Sequence, residues 1–455
     1  MKEVQFGLGR VQFSIEVPDK TDVLSMGRVP LLTPAEDKIR QAFKNPIGCK
    51  PLEVIVKQKL RLNPQAKAVV VISDSTRPVP YSGKSGILFP IVEELMKAGL
   101  NSSQIILLVA TGTHRAMTEA EIKERLDPRL LALGLKVINH NCRQKEELVS
   151  VGRTKIGGQI LINRHYVQSD IKILTGLVES HFMAGVSGGR KSICPGLIGE
   201  ASIHLLHSGP ILASPLASDL ILEGNPVHEE ALRVAKMAGC DFTVNVTLDS
   251  NYRLTGVFAG DMEKAHLAAY AQLRKYAAIP FHHQYDLVLG HTGFVGINHY
   301  QAAKGALTCL PLLKKDSICL LVAHHSDFDP IGGINYKQMM RLLAEVGPQK
   351  FVKMIVDPNW KFIPEQWEAQ MWSRLLKQIS PENLIYCTLD IAEEDFSWLP
   401  GTHARKLNPR AKSMPQLVQN SLHWAIRVLR QRLKREPDIA FLANGPYGIP
   451  KKLFH

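Results

Sequence analysis

Apolar residues in this chain come in short runs that lead into loops rich in Gly, Thr, Ser or His. Residues 68–73 (AVVVIS), 105–110 (IILLVA) and 171–176 (IKILTG) are three such runs, and runs of this length bounded by turn formers predict strands. Between them lie FPIVEELMKAG and TEAEIKERL, which have helical patterning. The second opens on Thr118 with Glu121 three residues later, a capping box. The first 17 residues, MKEVQFGLGRVQFSIEV, alternate like a strand. The pattern restarts near residue 285 with YDLVLG, then SICLLVA, NLIYCT and DIAFLANG, after a helical stretch, MEKAHLAAYAQLRKYAAI, followed by Pro280. Strands alternating with helices predict an α/β fold with mainly parallel sheets, in which ligands gather at the C-terminal ends of the strands. Two such domains are expected, residues 1–278 and 279–455.

Composition narrows the class. The 455 residues are 45% hydrophobic, as in well-cored globular chains. No apolar run reaches the roughly 18 residues that span a bilayer. The N-terminal stretch lacks an apolar signal core, so a cytoplasmic location without a membrane partner is expected. Seven cysteines occur without a C-x-x-C pair, which argues against a disulfide framework and a zinc ribbon. The formal charge of +13 is dispersed except in RVLRQRLKREPD, which reads as a solvated helix face. Without aromatic interleaving, that charge favours small anions over nucleic acid.

Four loops concentrate reactive side chains. SDSTRPVP, after the first strand, holds Asp74, Thr76 and Arg77, and a guanidinium fork suits a carboxylate or phosphate. ATGTHRAMTEAE places His114 before a helix, where an imidazole serves as base or merely as a cap. The run TGLVESHFMAGVSGGRKSICPG holds His181, Ser187, Gly188, Gly189, Lys191 and Ser192, with His204 and His207 beyond it. Its GVSGGRKS nearly matches the phosphate-binding pattern G-x-x-x-x-G-K-[ST]. However, Arg190 stands where the second glycine belongs, and Pro195 interrupts the expected helix. The paired glycines suit a close backbone approach to a ligand, with N–H groups that cradle an anion. In GHTGFVGINHYQAAKGAL, Tyr300 and Lys304 are one helical turn apart and Gln301 flanks them. AHHSDFDP, with His324, His325, Asp327 and Asp329, reads as a hydrogen-bonded turn rather than a metal site.

Taken together, SDSTRP, GTHRAMTEAE, SHFMAGVSGGRKSICPG with a histidine sixteen residues after its lysine, YQAAK and EQWEAQ (365–370) resemble the nickel-pincer-nucleotide enzymes, whose founding activity is lactate racemase. The resemblance implies an isomerase that inverts the hydroxyl-bearing carbon of a 2-hydroxy carboxylate by reversible hydride transfer. The active site is then expected in a cleft between two α/β domains. Lys191 would be bonded to the cofactor, a sulfur-bearing pyridinium mononucleotide that holds nickel, and His207 would be the protein's nickel ligand. Ser187, Gly188, Gly189, Ser192 and Tyr300 would lie against the cofactor. His114 and His181 would alternate as general acid and base. Arg77, Gln301 and Lys304 would grip the substrate carboxylate, Asp74 would orient Arg77 or Lys304, and Trp367 would wall the pocket. Proteins that make the cofactor would be maturation partners. Two other readings stand beside this one: a phosphate-loop kinase or NTPase using residues 185–192, and a non-catalytic nucleotide- or nickel-binding protein.

Overall fold

The structure is a computed structural model describing residues 1–154 and 158–452. It divides into two compact units. One comprises residues 28–207 and 216–275, and the other comprises 1–27, 208–215 and 276–455. Both are α/β with mainly parallel sheets.

In the first unit, three predicted strands appear as Ala68–Ser73, Ile105–Ala110 and Ile171–Leu177. Lys136–Asn139, Phe242–Leu248 and Leu254–Gly260 complete a six-stranded sheet. Numbered along the chain, the spatial order is 3-2-1-4-5-6, and only the last pair is antiparallel. The order reverses between Ala68–Ser73 and Ile171–Leu177, so loops leaving those neighbours diverge and open a crevice at their C-terminal ends. Burial of both sheet faces explains why these strands are continuously apolar: Val69, Val70 and Val71 are all fully buried. The capping box forms as expected: Glu121 N donates to Thr118 Oγ1 at 3.2 Å, and Thr118 N donates to Glu121 Oε2 at 2.8 Å.

The second unit carries its own six-stranded sheet, all parallel: Thr402–His403, Leu384–Cys387, Leu313–Val322, Tyr285–His291, Ile439–Leu442 and Asp22–Leu24, in that order. Its edge strand comes from the start of the chain. Residues 2–17 form a hairpin, Lys2–Leu8 against Val11–Val17, whose Phe6 rests against Phe441 and His291. The division therefore departs from a single cut at residue 278. Asp22–Leu24 pairs with Ile439–Leu442, and Gly209 packs so closely on Ile355 O that a Cβ would lie 2.3 Å away. Short strands and hairpins leave no periodic signature of which distant partner they pair with.

Because Val4, Phe6, Ile15 and Val17 belong to the same apolar core as Leu287 and Phe441, deleting residues 1–27 should lower the thermal midpoint by several degrees, at ~2–4 °C per kcal/mol lost. An unchanged melting curve would show that the hairpin adds nothing to that core.

Candidate active site

At the crevice of the first unit, the loop after Ala68–Ser73 turns immediately. Asp74 is buried, and its Oδ1 accepts from Thr76 N (3.0 Å) and Thr76 Oγ1 (2.5 Å). Its Oδ2 meets His114 Nδ1 at 2.7 Å. Burial opposes ionisation of Asp74, but the His114 ring, the Thr76 donors and the Arg77 charge outweigh it and hold the carboxyl well below the usual carboxylate range. The hydrogen bonds of Asp74 go to His114 and Thr76, and the Arg77 charge acts on it through space. Arg77 Nε instead pairs with Glu179 Oε1 at 3.2 Å, a partner the sequence reading missed.

The long loop after Ile171–Leu177 folds back on itself. Ser180–His181 pairs antiparallel with Gly185–Val186. This brings the Met183 and Ala184 N–H groups to His181 Nδ1, at 3.3 and 3.2 Å. Lys191 Nζ lies 2.8 Å from His181 Nε2. Arg190, beside it, points inward and is fully buried. Its guanidinium donates to Ala184 O (2.8 Å), Val186 O (2.9 Å) and Gly188 O (3.3 Å), and lies 2.8 Å from His266 Nε2. Burial draws the Arg190 pKa down to about 9.

The two glycines of this loop are tightly packed. Gly188 has φ 72°, and a Cβ there would stand 2.7 Å from Val178. Gly189 has φ 51°, and a Cβ would stand 2.9 Å from the His266 ring. Both residues are glycine because the loop lies on its own unit. Gly189 N–H is engaged by Asn245 Oδ1 at 2.9 Å rather than aimed at an anion. Ser187 Oγ donates to Leu177 O (2.6 Å), and Ser192 Oγ donates to Thr175 O (2.9 Å). The segment Gly189–Ser192 is a single 3₁₀ turn, so it lacks the long helix whose N-terminus binds phosphates in a nucleotide loop. The phosphate-loop reading loses its structural basis here. Cys194 is buried, and its thiol is pushed up to about 12 by burial, as suits a packing role.

His207 ends the helix Glu200–Leu206. Its Nδ1 lies 3.0 Å from Ile203 O, which makes Nδ1 the protonated nitrogen and Nε2 the lone-pair end. Burial holds its pKa down at about 4, so the ring is neutral, as a metal-ligating imidazole must be. No group of three or more His, Cys, Asp or Glu that could hold a metal occurs among the described residues.

In the second unit, the strand Tyr285–His291 leads to the helix His299–Cys309, capped by Asn298 Oδ1 on Gln301 N at 2.9 Å. The helix Gln366–Leu376 packs against it, with Trp367 Nε1 donating to Tyr300 OH at 2.6 Å. Lys304 is half-buried one turn beyond Tyr300. Gln301 and Glu368 are buried, and Gln301 Oε1 and Glu368 Oε2 have no hydrogen-bond partner among the described residues. Burial pushes the Glu368 carboxyl up to about 8, with Lys304 drawing it down and Glu365 raising it. EQWEAQ contained Glu368, but nothing in the motif showed that this glutamate would be buried. His324 and Asp390 (3.1 Å), and His325 and Gly296 O (2.8 Å), confirm a hydrogen-bonded loop at AHHSDFDP.

Residues 8–218 match the lactate racemase N-terminal domain family. A lactate racemase of Lactiplantibacillus plantarum is 31% identical over 345 residues, 75% of this chain and 77% of that protein. The chain belongs to the lactate racemase family. It is an isomerase of the racemase class. The lactate racemase of Thermoanaerobacterium thermosaccharolyticum is 29% identical over 83% of this chain and 86% of its own length. The solved lactate racemase apoprotein from the same organism superposes with a TM-score of 0.81 at 27% identity, covering 99% of this chain and all of that one. A Thermotoga maritima protein, 16% identical with a TM-score of 0.62 over 90% of this chain and all of that one, shares the fold. The lactate racemase family is nickel-dependent and acts on small molecules, and no described helix of this member is long and apolar enough to cross a membrane.

Glu368 generates a stability test. The folded chain holds this proton more tightly than the unfolded one, whose carboxyl titrates near 4.5. Stability is therefore greatest at or below that pH and falls as pH rises towards about 8. Glu368→Gln should lack this decline, so its advantage in thermal midpoint over the wild type should grow between pH 5 and pH 8. A constant difference across that range would mean that Glu368 is ionised in the folded chain.

Proposed function

We propose that this protein is a racemase or epimerase of a 2-hydroxy carboxylate that uses a nickel-pincer nucleotide tethered to Lys191. The observation that supports the reading most strongly is the contact between Lys191 and His181 at the mouth of the crevice, next to the loop holding the Asp74–His114 pair. An anchoring lysine and two acid/base side chains lie on loops that leave the C-terminal ends of strands in one parallel sheet, where α/β sheets bind ligands.

Bound there, the cofactor supplies a reversible hydride acceptor, which makes a planar 2-oxo acid accessible from a carbon acid too weak for direct deprotonation. The chain's own residues do the rest. His114 and His181 exchange protons with the substrate oxygen, within the range that positioned acid/base groups contribute. Asp74 fixes the orientation of the His114 ring. His207, neutral with Nε2 as its lone-pair end, would hold the nickel from the protein side. Ser187, Gly188, Gly189 and Ser192 shape the turn that presents Lys191, and Arg190 braces it from within. Arg77, already paired with Glu179, together with Gln301 and Lys304, is assigned to the substrate carboxylate. Trp367 and Tyr300, joined by their hydrogen bond, form an aromatic wall. Loading requires cofactor-making proteins, and the working location is the cytoplasm.

Intact-mass and metal analysis of protein co-produced with the cofactor-making enzymes tests the reading. A denaturation-stable adduct should map to Lys191, with about one nickel per chain under native conditions. Lys191→Ala should carry no adduct, and His207→Ala should keep the adduct but lose most of its nickel. Absence of an adduct on the wild type, alongside a loaded control racemase, would refute the proposal.

A further inference from the structure

Arg77 leaves the loop after Ala68–Ser73 with most of its guanidinium already committed. Its Nη1 donates to Thr76 O at 3.0 Å and to Thr76 Oγ1 at 3.3 Å. On the other side, Nε forms an ion pair with Glu179 Oε1 at 3.2 Å, the two side chains being 18% and 17% exposed. Nη2 makes no hydrogen bond to any described residue. The Arg77 main chain is fixed as well, since Arg125 Nη2 donates to Arg77 O at 2.7 Å. Glu179 is held through its own backbone. Glu179 N donates to Ser187 Oγ at 3.0 Å, and Ser187 N donates to Glu179 O at 2.9 Å. Ser187 stands four residues before Lys191, so the carboxylate that meets Arg77 is pinned to the segment that carries the anchoring lysine.

We propose that Glu179 is a positioning residue for the substrate: it holds the Arg77 guanidinium so that Nη2 alone is presented, in a place set by the Lys191 loop. This rests on the racemase reading above, in which Arg77 grips the substrate carboxylate. A guanidinium on its long stem can meet a carboxylate through either edge of its fork. Here the Nε edge faces Glu179 and Nη1 is turned to Thr76. Both two-nitrogen edges are thereby closed off, and one nitrogen meets the substrate. That contact is weaker than a fork, but it is fixed in direction. The Glu179 charge also tempers the attraction of Arg77 for an anion, whereas a guanidinium without it would bind a carboxylate more strongly and in more orientations. Inversion needs the α-carbon kept in one place while the carboxylate stays anchored, and a displacement of about 1 Å costs rate rather than affinity. Glu179 therefore weakens ground-state binding while it improves orientation, which favours the reacting geometry over the bound one.

Glu179→Gln tests this with little disturbance, because it keeps the side chain's size and the Ser187 hydrogen bonds belong to the Glu179 main chain. In loaded enzyme it should lower kcat by about tenfold or more with KM unchanged or lower. Arg77→Gln, which removes the grip itself, should instead raise KM by about tenfold or more. A Glu179→Gln enzyme with wild-type kinetics, or with a raised KM and an unchanged kcat, overturns the inference. Nitrogen-15 spectra of arginine-labelled apoprotein give a second readout without cofactor or substrate. A guanidinium held in an ion pair rotates slowly about its Nε–Cζ bond, so Arg77 should show resolved Nη signals, identified by their absence from Arg77→Gln. In Glu179→Gln they should merge while the thermal midpoint changes little, since a partly exposed ion pair contributes little stability. Resolved Nη signals that survive in Glu179→Gln also overturn the inference. Wild type that carries the adduct but inverts no 2-hydroxy acid, with Nη signals that merge in Glu179→Gln, would count against the racemase reading and leave the hold of Glu179 on Arg77 standing.

Discussion

The buried guanidinium of Arg190 is the constraint on which the rest of the site depends. A charge with this little exposure persists only if most of its hydrogens are spent on acceptors, and here both terminal nitrogens find them while Nε has none among the described residues. Here the acceptors are the carbonyls of Ala184, Val186 and Gly188, the same backbone that carries Lys191 and folds over His181. One side chain thereby ties both arms of the loop together from the inside. A nucleotide-binding loop needs glycine at this position because phosphate fills the middle of the turn. In this chain the arginine fills it, and half-buried Lys191 reaches His181.

From that brace, the placement of chemistry follows the sheet. Parallel strands in the order 3-2-1-4-5-6 send two neighbouring loops in opposite directions, so Asp74 and Arg77 from one come close to Glu179 from the other. His114 arrives on the next strand's loop and is caught by Asp74. The two histidines thus share a crevice but not an environment. A carboxylate lies behind one ring and amide hydrogens behind the other.

The most legible features were those with a local cause. The strands Ala68–Ser73 and Ile105–Ala110 appear with the predicted ends because continuous apolar runs stop where Asp, Thr and Gly begin. The Thr118–Glu121 box is likewise a matter of four consecutive residues. Less legible were pairings across long separations. Asp74 and His114 are 40 residues apart, and Arg190 and His266 are 76 apart. Glu368 looked like an ordinary polar helix residue until packing against the helix of Lys304 removed its water. The glycines of GVSGGRKS were recognised as special, but the motif could not say whether a ligand or the protein itself would occupy the space beside them.

By itself, the sequence determined the α/β class, the order of the elements and an ordered set of loop motifs sufficient to point to one enzyme family. These depend on hydrophobic periodicity and on residue types at short spacing, which neighbours along the chain enforce. Tertiary structure alone decided that the first 27 residues complete the sheet of the second unit, that Asp74 serves His114, and that Arg190 lies inside the loop. The reason is physical: burial and hydrogen-bond direction are properties of what surrounds a side chain, and for these residues the surroundings come from distant parts of the chain.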